Sequence, residues 1–229
     1  IPNRNIKCNL KAYQFANFIS VASQHVKESF LLHQYPENRI FVNPYGVDLS
    51  MFKPLPNIPK KYDVIMVGGW GYEKGCDLIV EAIRKTNYSF IHVGSIKDVD
   101  FPQEKNFTHI DPVDQSKLIE YYNQAKVFIL PSRQDGFGMV LSQALACNLP
   151  IIGSNNCGAP DLKKMVELPE YITIIKDYTA DAIVTAIHTA IKNYEQLGER
   201  IYAGNAIENL TWEAYGKRYA NFLHKIIKQ

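Results

Sequence analysis

The stretch Pro131-Ser132-Arg133-Gln134-Asp135-Gly136-Phe137-Gly138 leads straight into Met139-Val140-Leu141-Ser142-Gln143-Ala144-Leu145-Ala146-Cys147. The apolar run Val127-Phe128-Ile129-Leu130 precedes it, so strand, glycine-flanked turn and helix follow one another without a gap. A helix N-terminus presents unpaired backbone N–H groups and the positive end of the helix dipole, and this turn aims both at one spot. Gly136 and Gly138 add the close backbone approach that a missing Cβ allows. Such a spot suits phosphate, and the pattern predicts a diphosphate-binding turn.

Outward from this turn, short apolar runs alternate with helix-period segments. Strands are expected near 18–22, 39–43, 62–67, 88–93, 107–110, 126–130 and 149–153, with amphipathic helices between most of them. The alternation predicts an α/β fold with a doubly wound, Rossmann-like parallel sheet. Three prolines fall in Phe52-Lys53-Pro54-Leu55-Pro56-Asn57-Ile58-Pro59-Lys60-Lys61, which can continue neither a helix nor a central strand. Residues 52–61 are therefore expected to link a first segment, 1–51, to a main domain, 62–210. A last helix over 211–229 starts at Thr211 as N-cap and carries Trp212, Tyr215, Tyr219, Phe222 and Ile226 on one face, a stripe that needs a partner surface. The first residue is Ile1 rather than Met, and the expectation is a fragment of a longer protein.

Composition narrows the function classes. At 229 residues with 46% hydrophobic side chains the chain can bury an ordinary core. Its 25 basic and 23 acidic residues leave a net charge of +2, which speaks against nucleic acid as a partner. Cys8, Cys76, Cys147 and Cys157 form no C-x-x-C pair, which argues for free thiols in a reducing compartment rather than a disulfide framework or a zinc site. No apolar run approaches the roughly 20 residues of a membrane span. A cytoplasmic location is expected, without a metal.

A second turn of the same kind follows the strand at 62–67: Gly68-Gly69-Trp70-Gly71-Tyr72-Glu73-Lys74-Gly75, then a helical run from Cys76 to Lys85. The spacing G-x-G-x-x-G fails because Lys74 stands where the third glycine belongs, which argues against a nicotinamide cofactor. A lysine at a helix start opposes the macrodipole unless it faces an anion. Lys74 alone also reads as a solvated loop residue. Asp135 and Gln143 could line one ligand; alternatively Asp135 caps the helix and Gln143 lies at the surface. A third loop, Gly153-Ser154-Asn155-Asn156-Cys157-Gly158-Ala159-Pro160-Asp161, again joins a strand to a helix. Three such loops at the carboxyl ends of parallel strands imply one crevice.

Taken together, these residues resemble family 4 glycosyltransferases, the glycosyl transferases group 1, enzymes of the GT-B fold that use nucleotide-diphosphate sugars. Phe41-Val42-Asn43-Pro44-Tyr45-Gly46-Val47-Asp48 with Phe52 and Pro54 is similar to the family's "PxGVDxxxFxP" segment. Val67-Gly68-Gly69 through Glu73-Lys74-Gly75 resembles its "VGR…EKG" loop, residues 131–150 its "PSxxEGFGxxxxEAxAxGxP" segment, and Gly158-Ala159-Pro160-Asp161 its "GGxPE".

The resemblance implies a hexosyl transfer with retention, from a nucleotide-diphosphate sugar to a glycan, lipid or protein acceptor, as in polysaccharide biosynthesis. The main domain would hold the donor. Residues 1–51 would be a remnant of the acceptor domain, and the terminal helix would cross back to that side. Asp135 stands where the family's first glutamate contacts the donor sugar, and Gln143 where its second accepts from ribose hydroxyls. Lys74 stands where a lysine neutralises the diphosphate. Gly68 and Gly69 line the first loop, Gly136 borders the turn, and the N–H groups of Phe137, Gly138, Met139 and Val140 would meet sugar and phosphate oxygens.

Three positions depart from the family's pattern: Gly69 replaces an arginine, Asp135 is a methylene shorter than glutamate, and Gln143 keeps an acceptor oxygen without the charge. Arg133 or another lysine is the candidate for the missing cation. The departures together motivate an alternative, a catalytically weakened nucleotide-sugar-binding module that acts with a partner protein. A nucleotide-sugar epimerase of the same fold fits the loop patterns less well. The fragment alone is expected to be inactive. The basic residues Lys217, Arg218, Lys225 and Lys228 raise peripheral contact with the inner face of a membrane, although cations near a helix C-terminus are ordinary.

Overall fold

The computed structural model describes residues 3–197 and 200–228; Ile1, Pro2 and Gln229, the ends of the expected first and last segments, lie outside the described residues. Helix α1 (Asn3–Phe15) leads to a two-stranded parallel sheet of β1 (Ile19–Val21) and β2 (Ile40–Val42), in which Ile19 pairs with Ile40. Helix α2 (Gln24–Leu32) connects the two strands, and Ser23 caps it by accepting the Val26 N–H.

The second sheet has six strands, all parallel: β3 (Tyr62–Val67), β4 (Phe90–Val93), β5 (Phe107–Ile110), β6 (Ala125–Leu130), β7 (Ile151–Ser154) and β8 (Ile172–Ile175). Their spatial order is β5-β4-β3-β6-β7-β8. The chain enters at the centre with β3, adds β4 and β5 on one side, then returns to lay β6 against the other side of β3. The loops after β3 and β6 thus diverge at a topological switch point, where an open parallel sheet leaves a crevice at its carboxyl edge.

Continuous apolar runs make this sheet because each central strand is covered on both faces. Val64, Ile65, Val127, Phe128, Ile129, Ile151 and Ile152 are fully buried. Helix α3 (Cys76–Lys85) buries Cys76, Ile79, Val80, Ala82 and Ile83, the i, i+3, i+4 spacing of an amphipathic helix, and keeps Asp77, Glu81 and Arg84 off that stripe. Helix α7 (Ala180–Leu197) does the same with Ile183, Ala186, Ile187, Ala190 and Ile191, and packs on α3. Helices α4 (Gln115–Gln124) and α5 (Met139–Ala146) lie along β6, and α6 (Ala159–Lys163) along β7.

The seven expected strands are present, with shifted ends: 88–93 contracts to Phe90–Val93 and 149–153 moves to Ile151–Ser154. Edge strand β8 and its pairing with β7 were not among them. The proline stretch has neither helix nor strand over 54–61, as its composition dictates, yet it is pinned rather than loose. Phe52 is buried edge-on to Tyr122 at 5.9 Å, the Leu55 N–H donates to Asn123 Oδ1 at 2.7 Å, and Asn123 Nδ2 donates to the Lys53 carbonyl.

Thr211 caps helix α8 (Trp212–Ile227) through the Ala214 N–H, at the position the sequence indicates. The aromatic stripe finds its partner in residues 18–45. Phe222 stacks on Phe41 with centroids 4.1 Å apart, Phe18 meets Phe222 edge-on at 5.3 Å, and Tyr45 lies against Trp212 and Tyr215. Arg218 fastens the same contact by donating to Asn43 Oδ1 and the Pro44 carbonyl at 2.7 and 2.8 Å.

Candidate donor-binding site

Three loops at the carboxyl edge are stitched together by hydrogen bonds. The Arg133 N–H donates to the Glu73 carbonyl, joining the β6 loop to the β3 loop at 2.8 Å. The Asp135 N–H donates to the Asn156 carbonyl at 2.8 Å, and Asn156 Nδ2 donates back to the Arg133 carbonyl at 2.8 Å. Deeper in, Ser154 Oγ donates to the Ser132 carbonyl, and the Gly158 N–H donates to that of Phe137. The protein's own hydrogen bonds thus fix these loops against one another, which lowers the ordering cost of binding.

Lys74 and Asp135 meet directly, with Nζ to Oδ2 at 2.7 Å. The anion that Lys74 faces is thus the Asp135 carboxylate itself. Lys74 ends a short 3-10 turn, Tyr72–Lys74, and Gly75 in the left-handed region starts α3 beyond it, so the lysine lies before the helix rather than within its first turn. The second Asp135 oxygen, Oδ1, accepts the Phe137 N–H at 3.2 Å. That N–H, expected to meet a ligand, is accordingly already occupied, and the Phe137 ring is buried at 2% exposure. Gly138 has φ +76, which a side chain would resist, and no side chain caps the helix there. Among the described residues the N–H groups of Gly138, Met139 and Val140 have no partner, and they remain as the donors at the start of α5.

Gln143 lies one turn further into α5 and is only 6% exposed. Its Oε1 accepts the Tyr122 hydroxyl at 2.9 Å. Burial pushes the Tyr122 phenol well above its ordinary pKa, so it stays protonated and needs an acceptor. The oxygen expected to serve a ribose hydroxyl therefore has a first partner inside the protein. Gln143 is neither at the surface nor free, and Tyr122, from α4, is a residue that sequence reasoning missed.

Arg133, a candidate for the missing cation, is committed elsewhere. Its guanidinium grips Asp77 at 2.6 and 2.8 Å, donates to the Tyr72 carbonyl, and lies 3.7 Å over the Tyr72 ring. Gly68 follows β3 with φ +130, and its carbonyl accepts from His92 Nε2 at 2.8 Å. Because a carbonyl only accepts, Nε2 carries the proton, and the other ring nitrogen of His92 faces His109 Nδ1 at 2.9 Å. Burial, followed by the His109 charge, pulls the His92 pKa down to about 4, against a partial offset from the Gly68 bond. Neutral His92 thus holds the first glycine of the β3 loop in place.

On the far side of Asp135 lies a cavity of about 470 Å³, walled by Asp135, Gly136, Phe137, Gly138 and Met139 opposite Tyr13, Val21, Val26, Phe30 and Tyr45. Ser23 Oγ donates to the Gly136 carbonyl at 2.6 Å, and the Gln24 N–H donates to Asp161 Oδ2, so the first segment is docked beside the turn. His25, in the first turn of α2, lines an adjoining cavity with Asp135 and Gly136. Among the described residues no three His, Cys, Asp or Glu side chains are grouped to hold a metal ion, and no helix is long and apolar enough to cross a membrane. The four cysteines are free, Cys76, Cys147 and Cys157 buried and Cys8 exposed; burial pushes the Cys76 and Cys147 thiols up to about 12.

A doubly wound sheet with loops bonded together at its switch point places a ligand crevice at its carboxyl edge. The model of the family "Glycosyl transferases group 1" matches residues 49–206, and the chain belongs to that family. It is 26% identical to a "Probable sucrose-phosphate synthase" of Thermosipho melanesiensis over 93% of this chain and 56% of the relative. It is 23% identical to the "GDP-mannose-dependent alpha-(1-6)-phosphatidylinositol monomannoside mannosyltransferase" of Mycolicibacterium smegmatis over 91% of this chain and 62% of the relative. The chain thus spans somewhat more than half the length of these two proteins. Among solved structures, Anabaena HepE in complex with UDP and glucose superposes with a TM-score of 0.77 at 15% identity, covering 98% of this chain and 68% of that one. That likeness shows the GT-B, Rossmann-like fold.

Proposed function

We propose that this chain is the donor-binding part of a glycosyltransferase that takes its sugar from a nucleoside-diphosphate sugar and transfers it, with retention, to a glycan, lipid or protein hydroxyl. The observation that carries the reading is the juxtaposition of Lys74 and Asp135 with the unpartnered N–H groups of Gly138, Met139 and Val140 at the switch point of the sheet. Membership of the glycosyl transferases group 1 supports transfer as the reaction, and the HepE complexes with UDP support a nucleotide as the ligand class.

When the bond from the anomeric carbon to the diphosphate breaks, negative charge collects on the leaving phosphate oxygens. Lys74 and the start of α5 are placed to stabilise that charge, the kind of contact that grows stronger in the transition state. In the free protein Asp135 holds Lys74 at its post. The pair is partly exposed, with side chains 27% and 17% accessible, so sharing the ammonium with a phosphate costs little. Asp135 is then left facing the sugar. The scheme draws on a lysine and backbone donors and routes no step through a metal. Acceptor transfer is proposed only in company with an acceptor-binding half, and the chain alone is expected to bind donor without turnover.

Calorimetric titration with UDP-glucose, GDP-mannose and ADP-glucose, each beside its nucleoside, tests the reading. A saturable isotherm with at least one sugar nucleotide, much weaker with the nucleoside, is expected. No binding to any of them would contradict it. The engagement of Gln143 by Tyr122 gives the weakened-module alternative some footing; it predicts the same isotherm but no turnover even with an acceptor half present.

A further inference from the structure

We propose that Lys97, in the turn after β4, is a phosphate-binding residue of this crevice, its ammonium delivered across a groove that Gly69 and Gly71 leave open. The inference rests on the donor-site reading above and adds a residue to it. It begins with the backbone. The β3–β4 pairing continues past the ends of both strands: the Gly68 N–H donates to the Val93 carbonyl at 3.0 Å, that of Trp70 to Ser95 at 2.7 Å, and that of Lys97 back to Trp70 at 2.9 Å. Fully buried Trp70 anchors this turn from below. Lys97 is therefore held beside Gly71 by the sheet itself.

The side chain then runs back over the two glycines. A Cβ placed on Gly71 would meet Asp98 Oδ1 first, at 2.6 Å, and stand 3.0 Å from Lys97 Cβ, and one placed on Gly69 would stand 2.9 Å from Lys97 Cε and 3.2 Å from its Cγ. Gly69 thus makes room for the lysine stem, and Gly71 for the Asp98 carboxylate and the foot of that stem. The direction, from Gly71 toward Gly69, leads to the carboxyl end of β3, the edge on which the crevice opens. An exposed lysine ordinarily keeps a mobile stem, and fixing it costs rotamer entropy. Here the stem is already laid against backbone at two points, so the ammonium is brought forward with part of that cost already met.

Charge accounting points the same way. Lys74 is matched by Asp135 and Arg133 by Asp77, so neither contributes net positive charge to the crevice. Lys97 takes part in no ion pair among the described residues, and the neighbouring carboxylate, Asp98, uses Oδ1 to accept the Tyr72 N–H at 2.8 Å. Among the described residues it is a cation beside the β3 loop without an ion-pair partner. A nucleoside diphosphate brings about three negative charges at neutral pH, which a matched Lys74–Asp135 pair and three N–H groups leave largely uncompensated.

The test is a double-mutant cycle read by calorimetry with UDP, GDP and ADP, followed by the matching nucleoside of whichever binds most tightly. Lys97→Met keeps an unbranched stem and removes the charge; Gly69→Ala keeps the charge and puts a methyl where the stem lies. Each single change is expected to weaken the diphosphate about ten-fold, the range of a charge-assisted contact at a partly exposed site, and to leave the nucleoside unchanged. The double variant is expected to lose no more than either single one, because both act through the same ammonium. Wild-type affinity for the diphosphate in Lys97→Met, or an equal loss for diphosphate and nucleoside, would overturn the role of Lys97 while the donor site stands. Failure of the unaltered protein to bind any of the three diphosphates would overturn the donor reading and this inference with it.

Discussion

Lys74 is the residue on which the chemistry turns. Its neighbour Asp135 was within reach of sequence reasoning, since both stand in turns after strands that pair in the centre of the sheet. Lys74→Ala is expected to weaken nucleoside-diphosphate binding by about 1.5–3 kcal/mol while sparing the nucleoside, and to leave stability nearly unchanged because the pair is partly exposed. Parallel titrations and thermal unfolding check both halves of the claim, and equal losses for the two ligands would reduce the lysine to a structural role. Gln143 behaves differently, because its oxygen is committed to Tyr122. Gln143→Leu strands a buried hydroxyl donor and is expected to cost about 1–3 kcal/mol of stability, and adding Tyr122→Phe should recover most of it. Urea unfolding of the two single variants and the double one decides this; an undiminished loss in the double variant would show that the bond is not what matters. Nothing in the sequence joins these two residues. They come together because α4 and α5 pack side by side on β6. The stem of Lys97 over Gly69 is hidden in the same way, since strand pairing, not sequence distance, brings them together.

At the level of elements, the strand–turn–helix units around β3, β6 and β7 were legible because three local signals coincide in each: an apolar run, a glycine-rich turn and a 3.6-residue period. Gly138 with φ +76 and the unpartnered donors after it follow from that local sequence. Strand β8 escaped notice for a physical reason. It is a short edge strand that runs on directly from the 3-10 turn Pro169–Tyr171, with no break in the sequence to mark where it begins. His92 on β4 shows what burial adds. Its folded pKa is about 4 against an ordinary 6.5, so between these values the unfolded chain holds more protons than the folded one. Stability conferred by neutral His92 is thus fully present above pH 6.5 and falls as the pH drops toward 4. Between pH 7 and 5 the loss is expected to be about 2 kcal/mol, visible as a falling urea midpoint. His92→Gln should flatten that slope, since glutamine can donate to the Gly68 carbonyl without titrating; an unchanged slope would assign the pH dependence to other groups.

For the whole molecule, the aromatic stripe of α8 packs on residues 18–45, and the turn at Asp135–Gly136 meets that segment through Ser23. The segments proposed from the sequence touch one another: 52–61 is pinned to α4, and α8 meets the loop after β2 through Arg218. The need for a partner surface was legible in the spacing of Trp212, Tyr215, Tyr219 and Phe222; which surface it would be was not, since Phe41 lies far away in sequence. Removing the stacked ring, Phe222→Ala, is expected to cost roughly 1–3 kcal/mol. Hydrogen exchange should then quicken in 18–45 more than in β3 or β6, and a uniform change over the whole chain would contradict this division of labour.

The central claim is the place where a donor diphosphate sits, and a crystal structure of the protein with a bound nucleoside diphosphate tests it most directly. The account places the phosphates within about 3 Å of Lys74 Nζ and of the N–H groups of Met139 and Val140, in the crevice at the carboxyl edge of β3 and β6. A nucleotide bound at another face, with Lys74 still paired only to Asp135, would contradict it.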